Sequence, residues 1–135
     1  MSRPAFRVLA PIACLAALLL SACGPSPTLL DGGPGDALVD PTHCPNDLPG
    51  ACPSPAPSWS REVSRVVGRS CTPCHSPTGA VANRPLGTWA EVFAQRQPVL
   101  TQVYSCRMPN DGGVPLTVDE RQAVLGWLVC GAPQN

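Results

Sequence analysis

Apolar positions in the second half of the chain recur at helical spacing. Trp59, Val63, Val66 and Val67 stand at i, i+4, i+7 and i+8 and share one helix face, with Arg61, Glu62, Arg65 and Arg69 off it. Ser58 or Ser60 is placed to cap that helix. A second helix is predicted from Trp89 to Arg96, capped by Thr88, with Trp89 and Phe93 four residues apart. Pro98 then opens a short third helix through Tyr104, since a first helical turn tolerates a missing N–H. Thr117-Val118-Asp119-Glu120 reads as a capping box and starts a last helix carrying Val124, Leu125, Trp127, Leu128 and Val129. Gly131 and Pro133 end it. No stretch alternates with period two for long enough to be a strand, so the fold class is all-α. The start of the chain is different. Met1–Arg7 carries Arg3 and Arg7 and no acid, and Val8–Leu20 is a 13-residue apolar run broken only by Pro11. Such a run cannot cross a hydrocarbon core of about 30 Å, so it reads as the apolar part of an export signal.

Leu20-Ser21-Ala22-Cys23 follows directly and resembles the lipobox of bacterial lipoproteins. The resemblance implies cleavage before Cys23, acylation of its thiol and amine, and stable anchoring in a membrane of the cell envelope, periplasmic or on the outer-membrane side. Composition then divides the remainder. Residues 24–57 hold nine of the 18 prolines, four acids, no Arg and no aromatic. Such a segment lacks the apolar surface to fold by itself, so 23–57 is expected to be the lipidated Cys and a disordered Pro-rich tether. Residues 58–135 hold all seven mature arginines against five acids and all five mature aromatics, and are the expected folded domain after a 1–22 signal peptide. The whole chain is formally neutral, with no Lys, which argues against a nucleic-acid partner. A unit of this size with so few aromatics needs something to supplement its core.

Cys71-Thr72-Pro73-Cys74-His75 carries the candidate chemistry. Two thiols three residues apart can add to the two vinyl groups of a haem, and the next residue's imidazole then lies over the iron. Cys71 falls on the helix face of Val63 and Val67, toward the core. Two other readings compete. A thioredoxin-like thiol pair wants a preceding strand, and a structural zinc site wants a second ligand pair at knuckle spacing; His43 beside Cys44 keeps a weak zinc alternative open.

With a helix running into Cys71–His75, then Pro85-Leu86, Met108-Pro109 and a C-terminal helix, residues 58–135 resemble a small class I cytochrome c. The resemblance implies one covalent haem c bound by Cys71 and Cys74, with His75 and the thioether of Met108 as metal ligands. It implies that the carbonyl of Pro85 accepts the His75 Nδ1–H. His75 and Met108 are only 33 residues apart, short for the family, so the intervening loop must be minimal. Of eight cysteines, Cys14 leaves with the signal, and four remain for two disulfides with three possible pairings. Locality favours Cys44–Cys52, and a Cys106–Cys130 bridge would tie the Met108 loop to the last helix. Gly68 and Gly126 inside helices either allow a close helix crossing or simply weaken the helices.

The expected function is that of a membrane-anchored, monomeric electron carrier, not an enzyme, serving a redox protein partner. With no lysine, Arg61, Arg65, Arg69, Arg84 and Arg107 are the docking candidates. Two alternatives stand beside it. One is a penta-coordinate haem peroxidase or sensor, if Met108 does not reach the iron; the other is a haem-free, disulfide-rich structural lipoprotein.

Overall fold

The computed structural model describes residues 34–110 and 113–135. The signal peptide and Cys23 lie outside the described residues. Among the described residues there are four α-helices: α1 (Ser64–Ser70), α2 (Trp89–Ala94), α3 (Arg96–Tyr104) and α4 (Val118–Val129). One π-helical turn, Trp59–Val63, runs into α1, and short 3₁₀ turns occupy Pro34–Asp36 and Pro41–His43. Among the described residues there is no strand, only an isolated antiparallel bridge between Leu38 and Thr117. None of the described helices is long and apolar enough to cross a membrane.

The helix ends follow from local chemistry. Ser58 caps the first turn: its hydroxyl accepts the Arg61 N–H, while the Glu62 carboxylate accepts the Ser58 N–H at 2.8 Å. Thr88 with Glu91 and Thr117 with Glu120 each form a reciprocal capping box, so two orphan donors are satisfied at each start. α3 begins at Arg96, two residues before Pro98, and α2 stops at Ala94 instead of reaching Arg96. Pro98 is still in the first turn of α3, where its absent N–H would have had no partner. At the end of α4, Gly131 takes the left-handed conformation (φ 85°); its N–H donates to Leu128 O, and the Ala132 N–H donates to Trp127 O. These paired bonds close the last turn.

α4 is the axis of the core. Leu125 and Trp127 are completely buried, and with Val124 and Leu128 they meet Val63, Val66 and Val67 from the first helical stretch. Trp59 stacks obliquely on Trp127 with centroids 5.2 Å apart. Burying a side chain of this size contributes about 1.5–3 kcal/mol. Glycine in these helices has two different meanings. A Cβ at Gly68 would meet open space, whereas a Cβ at Gly126 would come within 3.0 Å of the Pro53 ring and 3.3 Å of Pro57. Gly126 therefore admits the N-terminal segment against α4, not the first helix.

That segment corrects two expectations. The expected tether is folded from residue 34 onward, in one compact unit with the helices, so the boundary at 57/58 does not hold. The Val39 N–H donates to Leu116 O at 2.9 Å and the Val118 N–H to Ala37 O at 2.8 Å. Asp47 pairs with Arg121 of α4, and Tyr104 donates its hydroxyl proton to Asn46. The low apolar content of this strap excludes a core of its own, but not docking onto a core made by others. The disulfides also differ from expectation: Cys44 joins Cys106, and Cys52 joins Cys130. Neither Cys44–Cys52 nor Cys106–Cys130 forms, because the strap lies alongside α3 and α4 instead of turning back on itself.

Candidate functional site

The Cys71–His75 motif caps α1. The Cys71 and Thr72 N–H groups both donate to Val67 O at 2.9 Å, and the His75 N–H donates to Cys71 O at 3.0 Å. The chain thus leaves α1 in a tight turn that keeps Cys71 beside Val63 and Val67 on one wall of a cavity. Both thiols are unpaired. Gly79 is required just beyond, since a Cβ there would lie 2.2 Å from Cys74 O.

His75 is gripped by residues 84–86. Its ring Nδ1 donates to Arg84 O at 2.8 Å, and its own carbonyl accepts the Leu86 N–H at 2.8 Å. A carbonyl can only accept, so Nδ1 carries the hydrogen and, in the neutral ring, Nε2 carries the lone pair. Pro85 was the expected acceptor; the oxygen comes from Arg84 instead. Pro85 bears on this contact as the next residue, because a proline disfavours the helical region for the residue before it. The Pro85 carbonyl accepts from Gln95 Nε2 at 2.9 Å.

Met108 approaches from the end of α3. Cys106 takes a left-handed φ of 53°, and the Arg107 and Met108 N–H groups both donate to Gln102 O, at 3.0 and 3.2 Å. The Cys44–Cys106 bridge holds this turn from outside. Arg121, only 2% exposed, holds it from inside: its guanidinium donates to the carbonyls of Val103 and Tyr104, to Cys106 Sγ, to Pro45 O and to both oxygens of Asp47. Burial raises the Asp47 carboxyl, but the Arg121 hydrogen bonds and charge outweigh it and hold the group below its ordinary value.

Cys71, Cys74, His75 and Met108 line one cavity of about 510 Å³, walled by Val66, Leu86, Val92, Val99, Val103 and Trp127. The structure therefore brings together the four side chains predicted to form the site. It leaves out His43, which is exposed and bonded through Nδ1 to Asp40 at 3.0 Å. Among the described residues no cluster of three or more His, Cys, Asp or Glu is placed to hold a metal ion. Burial, and then the neighbouring Cys74, push the Cys71 thiol up to about 11. An attacking thiol of the thioredoxin kind needs a lowered value, and Cys71 is shifted the other way.

Sequence reasoning did not single out Gln95 or Arg121, or the Arg84 carbonyl. A backbone acceptor leaves no residue-type signature; Gln95 falls in the helix predicted over Trp89–Arg96 and Arg121 in the last helix, where polar side chains are ordinary. No protein-family model, curated protein or solved structure matches this chain.

Proposed function

We propose that this protein is a c-type cytochrome that carries single electrons through one covalently bound haem. The observation that carries the reading is the convergence of Cys71, Cys74, His75 and Met108 on one apolar cavity, inside a domain whose own core is small. Cys71 and Cys74 would form the two thioether links, and His75 Nε2 and the Met108 thioether would hold the iron. Haem, when bound, supplies a one-electron couple between ferrous and ferric iron. The protein's part is to orient and to exclude. Arg84 sets the plane and tautomer of the His75 ring. The α3 end and its bridge set Met108, and the valine walls make the cavity largely apolar. Were His75 and Met108 both to hold the iron, protein groups would stand where a substrate would have to bind, which favours a carrier over an enzyme. The resemblance of Leu20–Cys23 to a lipobox supports anchoring on a membrane, and the exposed Arg61, Arg65, Arg84 and Arg107 are available to a redox partner, while Arg69 is paired with Glu120 at 2.5 Å.

A denaturing gel stained for haem tests the reading, using chain exported from a host that attaches haem c. A haem-stained band that disappears in Cys71→Ser/Cys74→Ser is expected; an unstained wild-type band refutes the proposal and leaves a haem-free structural lipoprotein. Low-spin spectra in the wild type, converted to high-spin in Met108→Ala, are expected for His/Met ligation. A high-spin wild type points to the penta-coordinate peroxidase or sensor instead.

A further inference from the structure

We infer that Gln95 is a positioning residue for His75, acting on it through a single peptide unit. The carbonyl of Pro85 and the N–H of Leu86 belong to the same peptide. Gln95 Nε2 donates to that carbonyl at 2.9 Å, and the N–H at the other end donates to the carbonyl of His75 at 2.8 Å. Hydrogen bonds in series polarise one another, so donation by Gln95 strengthens the bond that Leu86 makes to His75. The preceding peptide carries the Arg84 carbonyl that accepts the His75 ring proton. The strip 84–86 therefore touches His75 at the ring and at the backbone, and Gln95 fastens its middle.

Gln95 is itself well fixed for this task. It is the single residue between α2 and α3; its N–H donates to Val92 O at 3.1 Å and its carbonyl accepts the Val99 N–H at 2.9 Å. The side chain lines the same cavity as His75. Pro85 has no N–H, so the strip has no main-chain ladder of its own, and a side-chain donor from another element is what holds its centre. Calling His75 an iron ligand rests on the haem reading above; the relay from Gln95 to His75 does not.

The test is hydrogen exchange followed by NMR on the full chain carrying Gln95→Leu, which keeps the volume and removes the donor. Exchange of the Leu86 amide and of His75 Nδ1–H, each taken relative to the Leu125 amide in the same sample, should rise about fivefold, the value of one ordinary hydrogen bond. Ratios unchanged within about twofold overturn the inference, as does an equal rise at Leu125, which would mark a merely structural role. Gln95→Glu provides a second reading of the same contact. A protonated carboxyl can donate to Pro85 O and an ionised one cannot, so the Leu86 ratio should be near wild type at low pH and raised once the carboxyl ionises. A ratio indifferent to that ionisation overturns the relay. Haem staining of the same samples is scored separately: an unstained band defeats the cytochrome reading, whereas the exchange ratios decide the role of Gln95 with or without haem.

Discussion

The two sides of the cavity are held by different means. On the His75 side, the hydrogen bonds that position the residue come from within Cys71–Gln95. On the Met108 side, the chain is held by partners far away in sequence: Cys44 across 62 residues, and Asp47 and Pro45 through the buried Arg121. The chemistry of the two side chains explains the contrast. An imidazole is a rigid ring with one lone pair to aim, so fixing its second nitrogen fixes the first. A thioether ends a chain of three rotatable bonds and makes only weak polar contacts, so its position must be imposed through its backbone. The strap supplies that constraint, and the N-terminal segment is consequently part of the site's support.

The contrast can be broken most severely at Arg121. Arg121→Ala leaves Asp47 partly buried without its cation and strips the α3 end of its donors, so thermal or denaturant unfolding should show a loss of about 3–5 kcal/mol. The Cys44→Ser/Cys106→Ser pair should come next. With Cys52–Cys130 still closed, the shortest loop that Cys44–Cys106 completes is about 32 residues, worth roughly 3–4 kcal/mol in the chain-entropy treatment. If the strap serves Met108 and not His75, this variant should stain for haem like the wild type while its low-spin spectrum weakens; an unchanged spectrum would remove the strap from the site.

Acid offers a gentler handle on the same clamp. The Asp47 carboxyl is held below its ordinary value of 3.8 in the folded chain, so its contribution is complete above that value and is lost as pH falls through the lowered one. The stability difference between wild type and Asp47→Asn should therefore be constant near neutrality and shrink below about pH 4. The comparison is needed because Asp40, drawn to about 2 chiefly by the Thr42 hydroxyl, and Glu120 also titrate in acid. The smallest effect is expected far from both sides of the cavity. At Gly68 a Cβ meets nothing, so Gly68→Ala should raise stability by about 0.5–1 kcal/mol with no spectral change. A loss there would mean that the glycine serves a contact the fold does not show.

The same division governs what could be read from residue order. The first helix face, the Ser58 cap, the Thr117–Glu120 box and the placement of Cys71 beside Val67 were legible, because each depends on residues within one or two turns. The meeting of Cys71, Cys74, His75 and Met108 was legible only through a resemblance to a known family, since no local rule joins positions 75 and 108. The resemblance implies Pro85 as the acceptor, yet Arg84 supplies the oxygen; proline marks the bend, and the atom that matters belongs to its neighbour. The disulfides differ from expectation for a related reason. Spacing ranks short loops first, yet the observed pairs follow from which surfaces the strap lies against.

Residue order alone therefore determined the helices, their caps and the Cys71–His75 motif, because backbone hydrogen bonds between near neighbours decide them whatever the remainder of the chain does. Only the tertiary structure decided that a proline-rich segment is a strap, that Arg121 is buried, and that Gln95 reaches Pro85. Each of these depends on which distant surfaces meet, and a polar side chain reveals its purpose only when its partner has arrived.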